Sequence, residues 1–133
     1  MSFNEYTNSI TSAYLIMGMP IKITEVLGKN SAVLHSDGLK LYDAMVEEYK
    51  ASNQITLSFS NITHCTTAFL NASIGKFLSN YPNPLQVKKD LLISDLPTDS
   101  LINVKINRVI ENVLDEKKRT TYDASIRTYF HED

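Results

Sequence analysis

Between Ile55 and Leu78 the period of the apolar residues changes from two to about 3.6 across one short polar turn, and that change restricts the fold class. Ile55, Leu57 and Phe59 alternate with Thr56, Ser58 and Ser60, the pattern of a half-buried strand over Ile55 to Asn61. From Thr66 onward, Phe69, Leu70, Ile74, Phe77 and Leu78 recur at helical spacing. Gly75 inside that stripe predicts close backbone approach to a neighbour, and Tyr81-Pro82-Asn83-Pro84 stops the helix. The connecting turn, His64-Cys65-Thr66-Thr67, feeds a strand's carboxyl end into a helix N-terminus. Backbone N–H groups there are unpaired, with a partial positive charge behind them, so the junction suits an anion, a phosphate or a partner's carboxylate.

Similar units flank this one. Ile21 to Leu27 reads as a strand ending in the turn Gly28-Lys29-Asn30, and Ala32 to Leu34 as a short strand pairing back on it. Ser36-Asp37 offers capping oxygens to a helix with the face Leu39, Tyr42, Met45, Val46 and Tyr49, running to about Ala51. A third strand, Leu91 to Ser94, leads through Asp95-Leu96-Pro97 to Thr98-Asp99. These two cap a long helix with the stripe Ile102, Ile106, Val109, Ile110 and Val113. Three alternations of strand and helix predict an α/β domain containing parallel pairs joined by right-handed crossovers. The expected sheet is small and mixed, of about four strands, with helices mainly on one face.

The ends carry separate patterns. Asp115 to Arg119 reads as a helix end whose cations match the dipole. Beyond it, Tyr122, Ile126, Tyr129 and Phe130 fit a short docking helix, against this domain or a second chain. Phe3, Tyr6, Ile10 and Tyr14 also have helical spacing, although Ala13 to Met17 equally suits an edge strand. The chain divides into an extension at 1–20, a domain at 21–118 and a tail at 119–133.

Composition narrows the function classes. A chain of 133 residues, 43% hydrophobic and 21% charged, has the makings of one core. Thirteen Lys and Arg against fifteen Asp and Glu lack the basic excess of a nucleic-acid binder. The single cysteine, Cys65, precludes an internal disulfide and a multi-cysteine zinc site, and fits a reducing cytoplasm. Ala13 to Met19 is too short to span a bilayer, so no membrane association is expected. His35, His64 and His131 lack metal-ligand spacing, and the glycines are too scattered for a phosphate loop. No metal and no cofactor are expected.

With these elements in place, the chain resembles the STAS-like family, relatives of the anti-sigma-factor antagonists, over roughly Ile21 to Leu114. The resemblance is carried by Ile55-Thr-Leu-Ser-Phe-Ser-Asn-Ile62, by Thr66-Thr-Ala-Phe-Leu-Asn-Ala-Ser-Ile-Gly75 and by Leu91-Leu-Ile-Ser-Asp-Leu96. In the antagonists the matching helix opens with Asp-Ser-Ser-Gly, and a partner kinase phosphorylates the serine before the glycine. Superposing the strand ends puts Thr66 at the aspartate, Thr67 at the first serine, Ala68 at the acceptor serine and Phe69 at the glycine. The acceptor hydroxyl is missing, which leaves Thr66 and Thr67 as the possible phosphoacceptors. A phosphate there would add about −1.5 to −2 charges, tolerated at a helix N-terminus but repelling an acidic partner.

The resemblance implies a non-enzymatic regulatory module that contacts a partner through His64, Cys65, Thr66, Thr67, Ala68, Phe69 and Asn71. Its implied partner is a histidine-kinase-like ATPase or a related regulatory protein. Against a catalytic reading, His64 and Cys65 are adjacent on an extended chain and point to opposite sides. His35-Ser36-Asp37 has the residue types of a hydrolase triad, but triads assemble from distant positions, and helix capping is the simpler role. Two rivals remain. One is a nucleotide- or phosphate-binding accessory using the same helix N-terminus, opposed by the lack of a Lys or Arg at the turn. The other is a self-assembling structural protein, with a homodimer through the terminal segments.

Overall fold

The structure, a computed structural model, describes residues 19–98 and 101–131, with side chains described to Arg119. The stripe Phe3, Tyr6, Ile10 and Tyr14, the edge-strand alternative at Ala13 to Met17 and the cap residue Asp99 lie outside the described residues, as do the side chains of Tyr122, Ile126, Tyr129 and Phe130.

Among the described residues, five short strands form two parallel sheets. β1 (Ile21–Lys22), β3 (Ile55–Ser58) and β5 (Leu91–Ser94) lie in the order β1-β3-β5, while β2 (Ser31–Ala32) pairs with β4 (His64–Cys65). Ile21 stands opposite Leu57, and Ile55 and Leu57 oppose Leu91 and Ile93. Ile55, Leu57 and Leu91 are buried in the core, whereas Lys22 and Leu92 on the alternate positions are exposed. Of the alternation read between Ile55 and Phe59, the apolar side is buried as expected, but the other side is covered too: Ser58 is buried and Thr56 and Ser60 are half-buried.

The expected strand from Ile21 to Leu27 is corrected. Only Ile21–Lys22 pairs, and Ile23–Leu27 forms a short helix, α1. Ile23, Val26 and Leu27 fit a helical face, and the Ile21/Ile23 alternation hides this. Gly28, in the left-handed region at φ 71°, ends α1 by donating its N–H to Thr24 O. The next segment does not fold back on β1; β2 runs parallel to β4, with Ser31 opposite His64 and Ala32 opposite Cys65.

α2 (His35–Ser52) follows, with Leu34 at its N-cap position and no side-chain cap. Ser36 and Asp37 therefore do not cap it, contrary to expectation. Asp37 lies in the first turn, buried, with Oδ2 2.7 Å from Lys29 Nζ, where an anion also suits the helix dipole. The deepest side chains of α2 are Leu41 and Met45; Tyr42, Val46 and Tyr49 of the predicted face are half-buried.

α3 is continuous through three segments, Thr67–Leu70, a π-turn at Asn71–Gly75 and Lys76–Ser79. Its predicted stripe is wholly buried, since Phe69, Leu70, Ile74, Phe77 and Leu78 are all 0% exposed. Gly75 makes the predicted close approach: a Cβ there would lie 3.2 Å from Val109 Cγ1. The proline-rich stop also starts a helix that the sequence reading missed, α4 (Pro84–Lys89), capped by the Asn83 side chain accepting from Gln86 N–H. The long helix α5 (Ile102–His131) buries Ile102, Ile106, Val109, Ile110 and Val113, as expected. It does not end at Asp115 to Arg119. Asp apart, that run is made of strong helix formers, and α5 passes through it.

Candidate functional site

The junction before α3 is tied to β2 and its continuation. Thr63 N–H donates to Asn30 O at 2.9 Å and Thr66 N–H to Ala32 O at 3.0 Å. Thr66 is the N-cap of α3, its Oγ1 accepting from Phe69 N–H at 3.2 Å while donating to Val33 O at 2.6 Å. The cap therefore fixes the helix start and the β2 side of the junction together. Thr67 and Ala68 follow, both exposed, and the Thr67 hydroxyl makes no hydrogen bond to a described residue.

An open groove of about 660 Å³ runs past this turn, lined by Val33, Ile62, His64, Cys65 and Thr66 on one side and Leu101 and Lys105 of the α5 region on the other. His64 is exposed at the rim, its Nδ1 3.1 Å from Thr63 Oγ1. Cys65 is buried, and that burial pushes its thiol up to about 11 against the smaller, opposing pull of Lys105. Such a thiol is protonated at neutral pH and has no base beside it, the opposite of an activated nucleophile.

Lys105 is the residue the sequence reading missed. From α5 it donates through Nζ to Cys65 O at 3.0 Å, which puts a cation at a turn expected to have none. Its position between Ile102 and Ile106 on the buried stripe was the available signal, because a lysine there must extend its charge out of the core. Val33 and Leu101 complete the apolar lining and were likewise not foreseen.

Of the predicted contact residues, His64, Cys65 and Thr66 gather at the groove, with Thr67 and Ala68 beside it on the open start of α3. Asn71 is exposed one turn on. Phe69 is a correction. At 0% exposure it belongs to the core and is out of reach of a partner.

At the carboxyl edge of the three-stranded sheet, Ser58 Oγ donates to Asp95 Oδ2 at 2.6 Å and accepts from Ser60 N–H at 3.3 Å. These bonds hold the loops after β3 and β5 together. His35, Ser36 and Asp37 form no triad: the first two are exposed, and Asp37 is committed to Lys29. Among the described residues no three His, Cys, Asp or Glu side chains gather as a metal site requires, and no helix is long and apolar enough to cross a membrane.

Parallel strands alternating with helices, and a capped helix start at a strand's carboxyl end, make an α/β domain consistent with a STAS-like fold. Residues 37–100 match the family described as a STAS-like domain of unknown function (DUF4325). The matched span runs from the first turn of α2 to the loop before α5 and includes the whole β4–α3 junction. No curated protein and no solved structure matches the chain.

Proposed function

We propose that this domain is a non-enzymatic regulatory module that binds a protein partner over the β4–α3 junction. The observation that carries the reading is the surface itself: an open groove with a mostly apolar lining beside the exposed start of α3. Its family resemblance to anti-sigma-factor antagonists points to a histidine-kinase-like ATPase or a related switch protein as partner. The buried, protonated Cys65 supports a role without covalent chemistry.

The antagonists' phosphoserine switch is absent in its usual form, with Ala68 at the acceptor position. Thr66 spends its hydroxyl on the cap and on Val33 O. Thr67, exposed, is the better candidate for a phosphate, which would stand at the α3 N-terminus. Affinity capture with candidate ATPases tests the reading. Ala68→Arg and Thr67→Glu are expected to abolish capture while leaving the thermal midpoint within a few degrees of wild type. Capture insensitive to both would remove the junction as the interface.

Lys105 favours a second reading, a nucleotide- or phosphate-binding accessory, because it adds a cation beside the helix start. A nucleotide thermal-shift screen separates the two. A ligand at 100 times its dissociation constant stabilises by about 2.7 kcal/mol, and Lys105→Ala would erase the shift.

A further inference from the structure

The groove beside the β4–α3 junction holds one fixed cation and no carboxylate among the described residues that line it. Lys105 is the single Lys or Arg of that lining, and neither Asp nor Glu is part of it. The first turn of α3 adds no acid. Lys105 donates from Nζ to Cys65 O at 3.0 Å, which pins the ammonium at the turn. An ammonium has three N–H groups, and no ion pair joins this one to a described carboxylate.

Around that cation the lining is apolar and partly open to water. Leu101 is 70% exposed and Val33 38%, Pro97 is exposed, and Ile62 and Ile102 are buried. Open apolar side chains gathered in this way mark a contact surface. A small-molecule pocket encloses most of its ligand, whereas an open trough covers one side of what it holds. The occupant that fits is therefore a segment of a larger molecule. One ammonium balances one negative charge. A nucleotide brings two or more, and the surplus would lie against apolar side chains without a counter-charge. A single carboxylate meets Lys105 in a charge-assisted hydrogen bond and leaves the apolar lining to its neighbours.

We propose that the groove takes an apolar peptide segment of the partner protein that carries one Asp or Glu, its carboxylate on Lys105 Nζ and its apolar side chains over Val33 and Leu101. The inference rests on the junction being a partner-binding surface and adds the partner's chemistry to it. Because Cys65 O holds the ammonium beforehand, less side-chain freedom is lost on binding. The charge pair selects the partner and sets the segment's register, while the apolar contacts supply affinity.

Selection of random dodecapeptides on the full chain tests this without the partner in hand. Peptides selected on wild type should be apolar with Asp or Glu enriched at one position, and those selected on Lys105→Glu should carry Lys or Arg there. A wild-type-selected peptide titrated into the isotopically labelled chain should shift the amide resonances of Val33, His64 and Leu101. Its affinity should fall about tenfold with Lys105→Gln and by less than about threefold with Lys105→Arg. Exchanging its acid for lysine should restore binding to Lys105→Glu, which also shows that this variant is folded. Selected peptides without an enriched acid, peptides shifting resonances elsewhere, or a library yielding no binder would overturn the proposal. So would dodecanoate, or a second copy of the chain, displacing the peptides at lower concentration than they need to bind. An ATPase whose capture Ala68→Arg abolishes and Lys105→Glu leaves intact would remove the carboxylate and keep the junction; acid-bearing groove peptides with no ATPase captured would do the reverse for the ATPase.

Discussion

Thr66 joins a helix cap to a cross-chain strut in one hydroxyl, and its substitution separates that double role from mere compatibility with a turn. Thr66→Ala should cost about 1 kcal/mol in urea denaturation, the usual size of an N-cap loss, and Thr66→Ser should recover most of it. Gly38 is the other position with little latitude. A Cβ there would lie 2.6 Å from Phe69 O and 2.7 Å from Ala72 Cβ, atoms held by the helix they belong to. Gly38→Ala should therefore cost roughly 1–3 kcal/mol by overpacking, measured in the same way. The sequence announced Gly75 through its place in an apolar stripe but not Gly38, whose demand comes from a helix about thirty residues away. Lys105 was hidden for the same reason: its partner, Cys65 O, is brought to it only by tertiary packing.

Helices with a strong stripe were legible, and short elements set by their neighbours were not. The buried faces of α3 and α5 agree residue by residue with the spacing, because each is wide and uninterrupted. α1 was misread because two isoleucines in alternation satisfy either period, and α2 because its capping residues were assigned two positions late. α4 had a legible start in Asn83-Pro84, a cap followed by proline at the first helical position, yet the same residues were read only as the stop of α3. Within α3, Phe77 packs edge-on to Tyr49 and Tyr81, with centroids 5.5 and 5.3 Å away. Phe77→Ala should cost about 3–5 kcal/mol, read by denaturant unfolding.

For the whole molecule, the buried Cys65 thiol and the half-buried Tyr49 phenol contribute to the alkaline limit among the described residues. Burial, and then the hydrogen bond to Asp90 at 2.7 Å, push Tyr49 up from 10.0 to about 12, and burial raises Cys65 from 9.0 to about 11. Both folded-state values exceed the unfolded ones, so folding favours the protonated forms. The stabilisation they give is complete below about pH 9 and is lost as pH rises, first through the cysteine's window up to 11 and then the tyrosine's up to 12. Thermal melts should show this decline, with Tyr49→Phe flattening the part above pH 10.0. Native Cys65 should also react with a thiol reagent at pH 8 far more slowly than after unfolding, as absorbance at fixed reagent concentration would show.

The widened turn at Asn71–Gly75 makes α3 unusually tolerant of a shorter chain. A π-turn holds one residue more than an α-turn between the same two ends. Removing Asn71 should let the segment relax to ordinary i to i−4 bonding with the cap at Thr66 and the buried Phe77 both left in phase. A single-residue deletion elsewhere in α3 would rotate one half against the other by about 100°. The protein thus has a place where its length can change by one without its core changing partners.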